Sequence, residues 1–324
     1  MQCRPAGVHR GNIVNMSVGW NVAMTTTPDA PSDPAAAGPG QPGDDASRLA
    51  SREQAENFPV ALRMLPDRYR RDLHAVYAFA RTVDDIGDRP GCSPQARTAE
   101  LTEFRADLHD IWRTGRPKRP VLRRLVPTVR ARGLDLESFD LLVQANLTDQ
   151  RVTRYATFEQ LRDYCRCSAD PVGRLVLAIF GRHGAALERD SDRVCTALQL
   201  VEHWQDVGED RRAGRVYLPQ EDLAAFGVDE QDLDADTASP AVQALMRFET
   251  ERAAALLDLG APIVGRLTGW ARVAVAGYVA GGRAAVAALR RCGGDVLRAT
   301  PQPRRVDVAA AAARLLVPGA GGSA

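Results

Sequence analysis

The sequence predicts an all-α protein. Three observations carry that expectation. From residue 51 onward apolar residues recur at the helical period almost without interruption. The gaps between those runs hold residues that end helices. β-branched alternation of the kind a strand needs nowhere extends beyond about five residues. Of the 324 residues, 45% are hydrophobic, enough for a large core.

Residues 1–48 read as a tail. The stretch from Thr25 to Ser47 is rich in Pro, Ala, Gly and Asp and cannot bury enough surface to order itself. Within it, Gly38-Pro-Gly40-Gln-Pro-Gly43 has the GxGxxG spacing. Its proline neighbours exclude the strand-to-helix setting that makes such a run a phosphate loop. Helical periodicity then covers 70–88, 96–113, 119–132, 136–149, 158–166, 172–187, 191–210, 240–259, 262–268 and 271–292. Breaks fall at Arg89-Pro-Gly91, Gly115-Arg-Pro117, Asp170-Pro171, Gly214, Ser239-Pro240, Gly260 and Gly293-Gly294. Residues 49–300 therefore read as one all-α domain. Residues 301–324 read as a second tail, with one short helix near 306–316.

Several classes of protein are excluded. A formal net charge of +1 gives no electrostatic footprint for nucleic acid. The six cysteines form no CxxC pair and read as free thiols, and the five histidines stand apart, so no zinc constellation appears. No apolar leader of the secretory kind is expected near the start. The most apolar long stretch, 270–289, is mostly Ala and Gly and carries Arg272 and Arg283, so it reads as a buried core helix rather than a membrane span.

The chemistry lies in two acidic stripes. Residues 76–88, VYAFARTVDDIGD, place Asp84, Asp85 and Asp88 in an otherwise apolar helix. Tyr77, Arg81, Asp84 and Asp88 fall within roughly 60° of one another on it. In TALQLVEHWQDVGED, Gln199, Glu202, Asp206 and Asp210 form a second stripe beside Leu198, Val201, Trp204 and Val207. One acidic stripe is commonly a solvated face. Two that border apolar surface, facing each other, would crowd carboxylates around a gap and be costly to desolvate unless a divalent cation sat between them. Hard oxygen donors suit Mg²⁺, which shares its shell with water and substrate phosphate. Arg81, Arg211, Arg212 and Arg215 add the equipment for holding a diphosphate.

These segments resemble the squalene/phytoene synthase family. The family's first motif, Tyr-x-x-x-Arg-x-x-Asp-Asp-x-x-Asp, matches Tyr77, Arg81, Asp84, Asp85 and Asp88. Its second, Gln-x-x-Asn-x-x-x-Asp-x-x-x-Asp followed by an Arg-x-Tyr flap, matches Gln199, Asp206, Asp210, Arg215 and Tyr217. A Tyr-Cys helix ending in Val-Gly matches Tyr164, Cys165, Val172 and Gly173. The phrases Glu56-Asn57-Phe58-Pro59-Val60 and Ser168-Ala-Asp170-Pro171-Val-Gly173 are similar to its hydroxysqualene synthase branch in bacterial hopanoid formation.

The resemblance implies a single-domain, isoprenoid-synthase-type helical bundle with a central active-site cavity, Mg²⁺ as cofactor and presqualene diphosphate as substrate. It implies catalytic roles for Tyr77, Arg81 and Tyr164. Substrate contacts would come from Asn57, Phe58, Arg81, Gly173, Gln199, Arg215 and Tyr217, and metal ligands from Asp84, Asp88, Glu202, Asp206 and Asp210. The expected setting is the cytoplasm, with peripheral contact at the inner face of the cell membrane and functional association with other squalene-pathway enzymes. No dinucleotide fingerprint supports a reductive finish. Three departures stand out. Ala55, Glu56 and Asn57 replace a Ser/Lys-rich approach to the first helix, which argues against the full condensation of two prenyl diphosphates. Glu202 stands where the family has a metal-binding Asn, and Gly294 where an aromatic residue is common. The alternatives are a squalene or phytoene synthase performing that condensation, and a non-catalytic assembly protein on the same fold, which would have no reason to keep both stripes.

Overall fold

The computed structural model describes residues 65–316. Among them it contains helices and no strands; one isolated bridge joins Arg154 and Val216. Helix α1 spans Asp67–Gly87, α2 Pro94–Arg113, α3 Pro120–Arg132, α4 Leu136–Asp149, α5 Phe158–Ser168 and α6 Asp170–Ile179. The long α7 runs Ala185–Gln205, followed by the short α8, Val207–Arg212, and α9, Gln220–Ala225. After a 3-10 turn at Glu230–Asp234 come α10, Pro240–Gly260, α11, Ile263–Arg266, α12, Gly269–Arg291, and α13, Arg305–Leu316. The all-α expectation holds, and the short helix expected near 306–316 is α13.

Local chemistry sets many of these boundaries. Ser93, Asp135, Thr157 and Ser239 cap α2, α4, α5 and α10, each side chain accepting a hydrogen bond from the backbone N–H three residues on. Pro94 and Pro240 occupy the first helical position, where no N–H is required.

Two boundaries differ from the periodicity. The apolar run 172–187 is not one helix: α6 stops at Ile179, and the chain turns back with Gly181 donating to Ala178 and Arg182 to Leu177. Asp206 leaves helical geometry and divides the run 191–210 into α7 and α8. The break expected at Gly260 holds: it is the last residue of α10, and Ala261 caps the helix. Helix α9 carried no sequence signal, being too short for a period to register.

The helices close on two adjoining apolar clusters. One is built mainly from α1–α4, α6 and the first half of α12, with Phe79, Phe104 and Phe139 fully buried. The other gathers α5, α8, α10 and the second half of α12 around Trp204 of α7. Helix α12 is long and apolar enough to cross a membrane by length and composition, yet two-thirds of its most apolar stretch is buried within the protein. Helix α13 lies along α12, where Arg291 bonds Asp307 at 2.6 Å and Arg272 donates to the carbonyls of Leu315 and Leu316. At Gly294, φ is +92° and an added Cβ would fall 2.5 Å from the Gln243 carbonyl oxygen. An aromatic side chain has no room there, which gives that departure from the family a local cause.

Candidate active site

Three helices end at the same place, and each ends in carboxylates. Asp84 and Asp85 occupy the last turn of α1 and Asp88 caps it. Asp149 is the last residue of α4. Glu202 lies in the last turn of α7 and Asp206 caps it. A helix C-terminus carries the negative end of the macrodipole, so anionic side chains there are disfavoured unless positive charge joins them. Helix α6 touches both α1 and α7 and so joins the two stripe-bearing helices, and α4 packs against α1 and α6.

Burial sharpens the charge problem. Asp84 is buried, and its pKa lies well above the ordinary carboxylate value. Desolvation is the main cause; the charges of Asp88 and Asp149 add to it, while a hydrogen bond from Asn146 Nδ2 at 3.1 Å and the charge of Arg81 oppose it. The Asp210 pKa is raised in the same way, by burial first, then by Asp206, with Arg215 opposing and Glu209 and Asp149 adding. Asp149 thus acts on a carboxylate of each stripe and sits electrostatically between them.

Arg215 closes the gap. Its Nη2 donates to Asp88 Oδ1 at 3.1 Å, linking the segment after α8 to the end of α1. Its own pKa is raised: burial alone would lower it, but Tyr217, Asp149 and Asp88 outweigh that. The segment is held rather than loose. The Arg215 N–H donates to the Asp210 carbonyl, Val216 to Thr153, and Gln220 to Tyr155, while Arg154 Nη1 donates to the Gly214 carbonyl at 2.7 Å.

An aromatic wall adjoins the carboxylates. The rings of His203 and Tyr217 stack at 3.7 Å and 12°. Tyr155 lies 5.9 Å from Tyr217 and 5.5 Å from Tyr164. The Tyr164 hydroxyl donates to Asp149 Oδ2 at 3.0 Å. His203 is buried and its pKa falls to about 3, through desolvation and then the Arg215 charge, so the ring is neutral. Gln199 Nε2 stands 3.2 Å from His203 Nε2. Gln199 Oε1 and the hydroxyls of Tyr155 and Tyr217 are buried without a hydrogen-bond partner among the described residues. Beyond this wall, Val172, Gly173, Val176, Leu198 and Tyr278 line an apolar cavity between α6, α7 and α12.

Of the residues expected from sequence, Asp84, Asp88, Asp206, Asp210, Arg215, Tyr164 and Tyr217 are brought together through these contacts and charges. Arg81 lies beside Asp84 and reaches Asp85 Oδ1 at 3.0 Å. Tyr77 packs partly buried against the larger core cluster. Glu202 and Gln199 are buried on α7. Gly173 lines the apolar cavity, and its missing Cβ is what lets α6 approach Ser191 and Cys195. Asn57 and Phe58, with the Ala55-Glu56 departure, lie outside the described residues. Among the described residues no three His, Cys, Asp or Glu side chains form a ready-made metal cage. Sequence reasoning missed Asp149, Asn146, His203 and Tyr155. A signal for Asp149 was present, since an acid in the final turn of a helix opposes the dipole.

Comparison with known proteins agrees with this geometry. Over residues 51–310 the chain matches the family profile described as squalene/phytoene synthase. It is 39% identical over 184 residues to the hydroxysqualene synthase of Zymomonas mobilis subsp. mobilis, a match spanning 56% of this chain and 60% of that protein, less than two-thirds of its length. It is 33% identical over 220 residues to the phytoene synthase of Mycobacterium tuberculosis, covering 67% of this chain and 72% of that one. Among solved structures, the squalene synthase HpnC from Alicyclobacillus acidocaldarius superimposes with a TM-score of 0.71 at 40% identity, covering 78% of this chain and 94% of that one. With the motifs, the bundle and the profile in agreement, the chain belongs to the squalene/phytoene synthase family.

Proposed function

We propose that the protein ionises presqualene diphosphate in a Mg²⁺-dependent step and captures the cation with water, giving hydroxysqualene and diphosphate. The observation that carries this reading is the meeting of three carboxylate-bearing helix ends at one site that Arg215 closes. The family processes prenyl diphosphates. The likeness to a hydroxysqualene synthase at 39% identity favours that branch. Condensation of two prenyl diphosphates is the competing reading, favoured by the 33% identity to a phytoene synthase.

Mg²⁺ suits the donor chemistry. The candidate ligand atoms are hard carboxylate oxygens, desolvation raises the pKa of two of them, Asp84 and Asp210, and among the described residues they form no closed cage. That describes an ion drawing part of its shell from water and substrate phosphate. Asp84, Asp88, Asp206 and Asp210, with Glu202, are the residues that would hold it. When bound it supplies Lewis-acid stabilisation of charge on the leaving diphosphate.

Heterolysis of the C–O bond sends the electron pair to the diphosphate. Arg215 and Arg81 would meet the growing negative charge with charge-assisted hydrogen bonds. Aromatic faces of Tyr164 and Tyr217 favour the carbocation, and the apolar cavity beside Gly173 would take hydrocarbon chain and exclude bulk water. One water then forms the new C–O bond and passes its proton to the released diphosphate. The buried, unpartnered Gln199 Oε1, Tyr155 hydroxyl and Tyr217 hydroxyl are polar atoms suited to hold it.

The test is incubation of the purified protein with presqualene diphosphate and Mg²⁺, without nicotinamide, followed by chromatography of the organic extract. Hydroxysqualene with released diphosphate is expected. Efficient conversion of farnesyl or geranylgeranyl diphosphate alone would replace this reading with condensation.

A further inference from the structure

A second cavity, of about 380 Å³, opens between α5, α6 and α7. None of its lining residues belongs to the carboxylate site. Its size falls within the range of small-molecule sites, about 300–1,000 Å³. Five arginines reach it from three helices, Arg162 and Arg166 from α5, Arg174 from α6, and Arg189 and Arg193 from α7. They face two aspartates, Asp170 and Asp192.

The charge in this cleft is unevenly matched. Arg174 is committed to Asp192 by a two-point bond of 3.1 and 2.8 Å. Asp170 is buried and accepts a hydrogen bond from Thr196 Oγ1 at 2.9 Å. Its carboxyl is pushed up to about 7, by burial first and the Asp192 charge next, so near neutral pH it supplies only part of a counter-charge. Arg166 pairs with Asp163 and Glu159, and Arg162 reaches Glu159 at 3.7 Å, but both acids are more than half exposed. Arg193 is 3.1 Å from Asp190, whose other oxygen Arg266 already holds at 2.6 Å. Arg189 has no acidic partner among the described residues. Exposed pairs of this kind hold their side chains weakly, and a multivalent anion can displace them.

We propose that this cleft binds a phosphate-bearing anion through Arg162, Arg189 and Arg193, with Arg174 held in place by Asp192 as its fixed side. Guanidinium groups converging from separate helices suit an anion with several oxygens better than a single carboxylate. The volume admits either a free phosphate compound or the headgroup of an anionic lipid. Helices α6 and α7 also line the apolar cavity on another face, so a bound anion would brace the pair that forms it.

Two measurements on the full chain test this. Calorimetric titration with inorganic diphosphate in EDTA compares the wild type with the double variant Arg189→Gln, Arg193→Gln, both leaving Arg81 and Arg215 intact. The variant should bind at least about tenfold more weakly with an unchanged melting temperature. Flotation with phosphatidylcholine vesicles containing phosphatidylglycerol identifies the source. Vesicle binding lost in the variant and competed by diphosphate points to a lipid headgroup. Vesicle binding indifferent to the substitutions, with diphosphate affinity lost, points to a free anion. The proposal is overturned if the variant matches the wild type in both measurements, or if the wild type binds neither probe.

Discussion

Asp84 and Asp210 carry opposed requirements. Asp84 is buried and Asp210 half-buried, and as isolated carboxyls desolvation favours their neutral forms, yet the proposed chemistry needs them charged around a cation. A site that stores such a conflict loses stability in the free protein and recovers it when the counter-charge arrives. Asp84→Asn keeps the shape and still accepts from Asn146, but removes the charge. Turnover should fall at least about a hundredfold, the scale of losing one preorganised electrostatic element. Melting in metal-free buffer should occur at the same temperature or higher, because the burial penalty is gone. Asp210→Asn should behave alike, and the double variant should lose less than the product of the two. Steady-state rates and melts of all three variants check this. Near-wild-type turnover would remove both residues from the chemistry.

At the scale of elements, the seam between α6 and α7 matters most. It separates the apolar cavity from the arginine-lined cleft, and it depends on a glycine. A Cβ on Gly173 would lie 2.3 Å from Ser191 Oγ and 2.6 Å from Cys195 Sγ. Both side chains are buried, so relieving the clash takes a strained rotamer or a shift of the helices. Gly173→Ala should therefore push the helices apart and lower stability by about 1–3 kcal/mol, as overpacking does. The denaturant midpoint reads this directly. An unshifted midpoint would mean that the two helices do not approach so closely.

Across the whole molecule, stability should depend on pH through a residue outside the carboxylate site. Glu249 of α10 is fully buried and bonded by Arg252, which also holds Asp222 at 2.7 Å. Its carboxyl rises from 4.5 to about 8, burial dominating and the Arg252 charge opposing. Below about pH 4.5 both folded and unfolded chains keep the proton, and the residue has little effect. Between about 4.5 and 8 the unfolded chain ionises while the native state holds its proton, so stability falls as pH rises. Glu249→Gln removes that slope. The variant should melt above the wild type at pH 8, by on the order of 3 kcal/mol, and converge with it toward pH 4.5. Parallel curves for the two proteins would show that Glu249 is not held neutral by the fold.

Much of this was legible in the chain itself, because the relevant information is local. Helical periodicity, caps such as Ser93 and Ser239, and the spacing of Asp84, Asp88, Asp206 and Asp210 depend on residues within a few turns of one another. They determined the all-α class, most helix boundaries and the two acidic stripes. What sequence could not supply was everything that depends on helices distant in the chain. The place of Asp149 between the stripes, the Arg215–Asp88 link across the gap, and the stack of His203 on Tyr217 arise from packing of α4, α7 and the segment after α8. The break of α7 at Asp206 is of the same kind, since the apolar period runs through it unchanged. So is the arginine cleft: its five cations come from three helices whose own patterns show only ordinary charged faces. Periodicity records which face a helix buries, but not which neighbour covers it, and that choice, made by the tertiary structure, decided where charge accumulates in this protein.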